Sequence, residues 1–281
     1  MQETSIHPLS IKPRFRLLRN GKDINSDKNR QNKTYKLQKA NKPAAFSDNE
    51  VLNNYLQIVE NMQTVCKKEG IQIIGFTGVS AGQGTSLLLS VISYLISEEI
   101  TDAYSYFFAP ENEEKKRILR YDGIIKKGVC LIDANFRKPS LHKIFGIENG
   151  KGLCSLLNAS DMPEVAGQFI FNSNFELLSA GYGCENMKPP INWGGIEPLL
   201  NKLKTRKKYI FIDLPPILLY ADSLRLCKQC DAVSIVVKAN ETRRELVIET
   251  KKALEKIGVK VLGGVLTNRK FFIPDWLYRK L

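Results

Sequence analysis

The sequence predicts an α/β protein with a doubly wound, mostly parallel sheet and helices on both faces. Six short runs are apolar almost throughout, as buried parallel strands are. They lie at 71–77, 129–134, 175–180, 209–214, 232–238 and 260–267. Helix-like runs fall between them, at 86–98, 196–204, 222–229 and 243–257. Because alternating strands and helices form right-handed crossovers in one sheet, we expect a ligand site at the carboxyl ends of the strands.

The first 46 residues are expected to form a flexible basic arm. Residues 1–45 contain eleven lysines and arginines and three acidic residues, so they carry +8 of the chain's formal charge of +13. The arm is rich in Asn, Gln and Lys and has no apolar periodicity, which favours a solvated leader. The alternatives are contact with an anionic membrane surface, an acidic partner or nucleic acid. Nucleic acid is disfavoured because the arm lacks the interleaved aromatics and glycines of a nucleic-acid module.

No targeting or membrane-spanning segment is apparent in the sequence. The most apolar run, Leu87 to Ile96, is shorter than the roughly 20 residues that a membrane span needs. We therefore expect a cytoplasmic protein, with peripheral contact at the inner face of the membrane as an option for the arm. Its six cysteines are expected to be reduced. Cys227 and Cys230, in "CKQC", are interpreted as buried helix cysteines rather than a metal or redox site.

The arm is followed by a predicted helix over 47–68. Ser47 and Glu50 have the spacing of a capping box, and the apolar residues form one stripe. This helix opens a domain predicted to span 47–270. Residues 99–127 are long for a helix-to-strand connection and are interpreted as an insertion with a short helix at 112–120. An aromatic tail, 271–281, follows the domain.

The stretch "GVSAGQGTSL", residues 78–87, lies between a predicted strand and a predicted helix and has the layout of a phosphate-binding loop. Gly82 and Gly84 let the backbone turn so that its N–H groups face one point, and the positive end of the helix points there too. Ser86 is placed to offer a hydroxyl to Mg²⁺. Thr85 stands where a phosphate-binding lysine is expected. The loop predicts a P-loop NTPase-like fold with a weakened phosphate site.

Two later strands are predicted to end in acidic residues beside this loop. Asp133 ends the strand in "GVCLIDANFRKPSLHKIFG", and Asp213 ends the strand in "KYIFIDLPPILL". A carboxylate in this place is suited to hold Mg²⁺ or its waters. The simpler interpretation is that each aspartate caps a turn, but the presence of two beside one loop favours a metal site made with Ser86.

These segments together resemble the bacterial tyrosine kinase family of capsule and exopolysaccharide synthesis, which is related to the MinD/ParA ATPases. The resemblance rests on "LIDANFRKPSLHKIFGIENGKGLCSLL", "FIDLPPIL", "DAVSIVVKANETRRELV" and "GGVLTNR". It implies ATP and Mg²⁺ as cofactors and a membrane-bound polysaccharide co-polymerase or export protein as partner, or a paralogue of the same family. It also implies phosphate-loop roles for Gly82, Gly84, Thr85 and Ser86, catalytic acids at Asp133 and Asp213, and a place near the base for Asn268.

The sequence departs from the family pattern at several positions. Thr85 replaces the loop lysine, Ser80 stands where the MinD branch has its signature lysine, and Asn135 replaces the second acid of the middle motif. The early-helix arginines are absent at Asn53 and Leu56, and the tail holds one tyrosine, Tyr278, rather than a cluster. A neutral Asn binds Mg²⁺ more weakly than a carboxylate and cannot act as a general base.

The leading hypothesis is therefore a catalytically degenerate, pseudokinase-like regulator of polysaccharide synthesis or export that acts through partner binding. The first alternative is an active ATP-dependent tyrosine autokinase in which Arg137, Lys138 or a neighbouring subunit supplies the missing charge. The second alternative is a MinD/ParA-type positioning ATPase that uses the arm on a membrane or on DNA.

Overall fold

The computed structural model describes residues 49–107, 128–150, 152–158, 168–169, 174–182 and 192–268. Four predictions concern residues outside these ranges. They are the arm, the cap at Ser47, the helix at 112–120 and the tail at 271–281. The strands are β1 (Ile73–Gly78), β2 (Val129–Asp133), β3 (Gln168–Phe169), β4 (Phe175–Leu178), β5 (Tyr209–Leu214), β6 (Ala232–Lys238) and β7 (Val261–Thr267). The α-helices are α1 (Asn49–Glu69), α2 (Thr85–Phe107), α3 (Leu141–Phe145), α4 (Leu153–Leu157), α5 (Ile196–Lys204), α6 (Ala221–Cys227) and α7 (Arg244–Lys256), and a 3₁₀ turn spans Trp193–Gly195.

The strands form one sheet in the order β3-β4-β2-β5-β1-β6-β7. Every pairing is parallel except that of the two-residue β3 with β4. The central strands β1, β2 and β5 are buried along their whole length, which explains their continuous apolar sequences. The predicted mostly parallel sheet is therefore confirmed, and its middle places the ends of β1, β2 and β5 side by side.

Helices cover both faces of the sheet, as the sequence predicts. On one face α1, α2 and α3 pack against strand side chains such as Phe76, Leu131 and Phe211. On the other face α4, α5, α6 and α7 pack against side chains such as Ile132 and Ile212. The neighbouring residues 131 and 132 thus serve opposite cores, because successive strand side chains point to opposite faces.

Several predicted boundaries differ from the structure. Helix α2 was expected to end at Glu98 but continues to Phe107, so the start of the proposed insertion is helical. Helices α3 and α4, of five residues each, were not predicted because so short a run shows no helical period. None of the described helices is both long and apolar enough to cross a membrane.

The cysteines are mostly free thiols within the described residues. Cys66, Cys130, Cys227 and Cys230 are unpaired, and burial raises the pKa of Cys227 to about 12. No group of three or more His, Cys, Asp or Glu side chains that could hold a metal ion occurs around the CKQC pair or elsewhere in the described part of the chain. The expectation of six reduced cysteines is wrong at Cys154, which is disulfide-bonded to a partner outside the described residues. That expectation was based on the reducing cytoplasm predicted for the protein and not on the positions of the cysteines in the fold.

Candidate functional site

The loop between β1 and α2 depends on two glycines in the left-handed region. Gly82 and Gly84 have φ values of 81° and 82°, which residues with a Cβ atom rarely adopt. A Cβ atom added at Gly84 would have no neighbour closer than 3.9 Å, and one added at Gly82 would have none within 4 Å. Glycine is therefore needed at these positions for its positive φ and not because a side chain would clash. Helix α2 begins at Thr85, and the N–H of Leu88 donates to the carbonyl of Gly84 at 2.9 Å. The loop therefore ends at a helix N-terminus, which favours an anion.

Gln83 ties this loop to the ends of the neighbouring strands β6 and β7. Its Oε1 accepts hydrogen bonds from the N–H of Lys238 at 2.5 Å and from Thr242 Oγ1 at 2.9 Å. Its Nε2 donates to Ser80 Oγ at 2.6 Å, and its carbonyl accepts from Thr267 Oγ1 at 2.8 Å. The side chain is 6% exposed. The ends of β6 and β7 thus hold the loop in place.

A chain of side-chain hydrogen bonds joins three elements at the base of the site. Ser140 Oγ donates to Ser86 Oγ at 2.8 Å, and Ser86 Oγ donates to Asp213 Oδ2 at 2.5 Å. These residues come from the loop before α3, the first turn of α2 and the end of β5. A hydroxyl beside a carboxylate is a donor set that fits Mg²⁺, which prefers hard oxygen ligands.

Asp133 lies next to this chain but points its carboxylate at backbone amides. Oδ1 accepts from the N–H of Asn135 at 3.2 Å, and Oδ2 accepts from the N–H groups of Ser140 and Leu141 at 3.0 and 3.1 Å. The side chain is fully buried. Asp133 therefore holds the loop at 135–141 against the end of β2, which is the turn-capping role that the sequence left open.

The two carboxyl groups have raised pKa values. Burial raises the pKa of Asp133 to about 6, although its three backbone hydrogen bonds oppose the shift. Burial and the negative charge of Asp133 raise the pKa of Asp213 well above its ordinary value, and the hydrogen bond from Ser86 opposes this rise. Desolvation thus favours the protonated form of Asp213, and a cation bound beside it would favour the ionised form.

These elements enclose a pocket of about 380 Å³. Its walls are the loop at 78–87, the segment at 135–144, and the residues that follow β5. The residues are Gly78, Ser80, Ala81, Gly82, Gln83, Gly84, Thr85, Ser86, Leu87, Asn135, Lys138, Ser140, Ile144, Asp213, Leu214, Pro216 and Tyr220. The three neutral replacements named from the sequence, Ser80, Thr85 and Asn135, line the same space. Lys138 is the one cationic residue among the described residues of the wall.

A second cavity of about 660 Å³ adjoins the pocket and shares Lys138 and Ser140 with it. Its other basic residues include Arg137 and Lys143. Arg137 is already engaged, since its Nη2 lies 3.1 Å from Asp222 Oδ2 and its guanidinium lies 4.3 Å from the centre of the Tyr220 ring.

The structure gathers most, but not all, of the residues that the sequence singled out. Gly82, Gly84, Thr85, Ser86 and Asp213 line one pocket. Asp133 is buried behind that wall, and its predicted contact with Mg²⁺ stays a prediction. Asn268 follows β7, is exposed, has a φ of 55° and does not line this pocket, so its predicted place near the base also stays a prediction.

Gln83 and Ser140 were not predicted as site residues. Their contacts join positions as far as 184 and 54 residues apart, and no local pattern reveals them. The signal that was available is position: Gln83 lies between the two loop glycines, and Ser140 lies within the specific "RKPSLHK" stretch.

Curated relatives of the chain are bacterial tyrosine-protein kinases. The chain is 30% identical over 144 residues to the tyrosine-protein kinase YwqD of Bacillus subtilis, a match that covers 51% of this chain and 61% of YwqD. It is 31% identical over 141 residues to the putative tyrosine-protein kinase CapB of Staphylococcus aureus, with coverage of 49% and 60%. The matched part thus spans about 60% of these two relatives. No protein-family model matches the chain.

Solved structures of low sequence identity share the fold. The VpsO kinase domain has a TM-score of 0.60 at 23% identity, covering 78% of this chain and 96% of that domain. The chimerical protein CapA2B2 has a TM-score of 0.61 at 21% identity, covering 80% and 88%. Cobyrinic acid a,c-diamide synthase from Mycobacterium smegmatis, solved with an ATP analog and magnesium, has a TM-score of 0.52 at 16% identity, covering 74% and 81%. The chain shares the fold of these proteins, and its curated relatives bear out the resemblance to bacterial tyrosine kinases that the sequence indicated.

Proposed function

We propose that the chain is a tyrosine-kinase-like regulator of exopolysaccharide or capsule synthesis or export, with little phosphoryl-transfer activity, that acts through partner binding. Its curated relatives are tyrosine-protein kinases, among them one from a cps region in Klebsiella pneumoniae. Kinase-like architecture with a weakened reaction centre is typical of proteins that retain a fold for regulation rather than for catalysis.

One observation supports the proposal: hydrogen bonds hold the pocket together, while neutral side chains stand where the family pattern has charged ones. Gln83 and the Ser140–Ser86–Asp213 chain hold the pocket together. Thr85 and Asn135 nevertheless present neutral groups to the same space. Phosphoryl transfer depends on positive charge at the phosphates and on a base for the acceptor hydroxyl, so neutral groups at both positions slow it.

Mg²⁺ and ATP are proposed as ligands of this pocket. Ser86 and Asp213 would hold Mg²⁺, which supplies positive charge to the phosphates when bound. The amides of the glycine loop and the N-terminus of α2 would receive the phosphates. That a protein with the same fold holds an ATP analog and magnesium supports this assignment.

The partner is proposed to be a membrane-bound co-polymerase or export protein, or a kinase paralogue. That CapA2B2, one of the structural neighbours, is a chimerical protein is consistent with such pairing. The basic residues at 1–46 would bring the chain to the anionic inner face of the membrane, where the partner is embedded.

An active tyrosine autokinase remains the second candidate, because Ser86, Asp213 and a cation, Lys138, line one pocket. The two functions differ in phosphoryl transfer. The full chain is incubated with Mg²⁺ and γ-labelled ATP, beside the double variant Thr85→Lys/Asn135→Asp and a bacterial tyrosine-protein kinase. We expect no labelling of the wild type above background and measurable labelling of the double variant. Tyrosine labelling of the wild type at the rate of the reference kinase would overturn the regulator and establish the autokinase.

A further inference from the structure

We propose that Lys138 contributes positive charge at the nucleotide phosphates and so partly replaces the missing lysine of the phosphate loop. This inference rests on the nucleotide site proposed above. It assigns phosphate binding to a residue 53 positions after Thr85, on the loop between β2 and α3.

Lys138 is placed to act on a ligand in the pocket. It lines the same space as the loop at 78–87 and Asp213, and it is the one cationic residue of that wall among the residues described. The residue is exposed, and within the described part of the chain no carboxylate forms an ion pair with it. An unpaired ammonium group on a flexible stem acts as a mobile point charge for phosphate.

Arg137, the other cation on this loop, does not line the pocket. Its guanidinium pairs with Asp222 at 3.1 Å and lies over the Tyr220 ring at 4.3 Å. Bringing it to the phosphates would break both contacts, whereas Lys138 has no such contact to give up.

The backbone beneath Lys138 is fixed. The N–H of Lys138 lies 3.2 Å from the carbonyl oxygen of Asn135 and 3.3 Å from its Oδ1. Asp133 accepts hydrogen bonds from the backbone at both ends of this turn, Asn135 at 3.2 Å and Ser140 at 3.0 Å. A pinned turn reduces the conformational freedom that the lysine must lose on binding a ligand.

Two of the departures from the family pattern, Thr85 and Asn135, change the charge around the pocket in opposite directions. Thr85 removes one positive charge from the pocket, and Asn135 removes one negative charge from the turn that carries Lys138. A carboxylate at 135 would attract the Lys138 ammonium group, and the neutral amide leaves that group available to an anion.

The test is calorimetric titration of the full chain with Mg·ATP, and with adenosine as a probe without phosphates. The variants are Lys138→Ala, Lys138→Arg and the matched control Lys143→Ala, an exposed lysine two residues into α3 that does not line the pocket. We expect Lys138→Ala to weaken Mg·ATP binding by about 10- to 100-fold. Lys138→Arg should keep most of the affinity, because it keeps the charge, and Lys143→Ala should behave as the wild type.

Adenosine affinity should be the same in all of these proteins, since the charge acts on the phosphates. Adding Thr85→Lys to Lys138→Ala should recover most of the lost affinity for Mg·ATP. Equal Mg·ATP affinities in Lys138→Ala and Lys143→Ala would overturn the role of Lys138 and leave the nucleotide site standing. A wild type that binds no Mg·ATP would instead overturn the nucleotide site, and the role of Lys138 with it.

Discussion

Asp133 and Asp213 are direct register partners on the neighbouring parallel strands β2 and β5, so two buried carboxyl groups end adjacent strands. The N–H of Ala134 donates to the carbonyl of Asp213 at 3.0 Å and locks the two strand ends together. Asp133 accepts hydrogen bonds from the backbone of the next loop, whereas Asp213 accepts one from the hydroxyl of Ser86 in the pocket. One aspartate of the pair therefore holds the loop beside the site, and the other lines the pocket.

The raised pKa values of Asp133 and Asp213 predict that the folded protein becomes less stable as pH rises. Because both pKa values are raised, the folded chain holds protons that the unfolded chain has lost. The free energy of unfolding should decrease as pH rises from the ordinary aspartate pKa of 3.8 through about 6, where Asp133 ionises, and further as Asp213 ionises. Urea unfolding between pH 4.5 and about 8 measures this slope.

The variant Asp213→Asn keeps the shape of the side chain and removes one of the two titrating groups. Its unfolding free energy should depend less on pH than that of the wild type, and the difference between the two proteins should grow toward high pH. The same pH slope in both proteins would contradict the assignment of a raised pKa to Asp213.

The hydrogen bonds of Gln83 predict that the loop at 78–87 depends on the end of the neighbouring strand β6 for its stability. Replacing it with Leu leaves the N–H of Lys238 and the hydroxyl of Thr242 without their acceptor, which should cost about 1–3 kcal/mol of unfolding free energy. Thr242→Val removes only one of these donors and should cost less, about 0.5–1.5 kcal/mol. Denaturant unfolding of both variants checks the order. A Gln83→Leu chain as stable as the wild type would show that the loop does not depend on this tether.

A buried ion pair supports the strand that flanks the site. Lys207 Nζ lies 2.6 Å from Glu176 Oε2, and the two side chains are 5% and 4% exposed. Lys207→Met removes the cation that pairs with this buried carboxylate and should cost about 3–5 kcal/mol, whereas Lys207→Met/Glu176→Leu should recover much of that loss. The exposed pair Lys251–Glu255 is the control, and Lys251→Met should change stability by less than about 0.5 kcal/mol. A small loss for Lys207→Met would mean that the pair is solvated.

The fold was predictable because its signals are local. The continuous apolar runs of β5 and β6 gave these strands with the bounds that the structure has. The end of α2 was missed because the charged residues after Glu98 resemble a surface excursion. Helix α3 was missed because five residues contain little more than one turn.

The site was predictable only where chemistry depends on local sequence. Gly82, Gly84 and Ser86 follow from the loop itself, and Asp213 follows from its place at a strand end. The orientation of Asp133 toward the amides of Ser140 and Leu141, and the reach of Gln83 to β6, depend on packing between distant segments. The choice between Arg137 and Lys138 likewise needed the contact of Arg137 with Asp222.

The central claim, a kinase scaffold whose nucleotide site lacks one charge, is tested most directly by calorimetry with Mg·ATP on the wild type and on Thr85→Lys. The account predicts weak binding by the wild type and binding at least about tenfold tighter by Thr85→Lys, because the new ammonium group enters the same pocket. Tight wild-type binding that Thr85→Lys does not improve and Asp213→Ala abolishes would contradict it, since the loop would then work fully without its lysine.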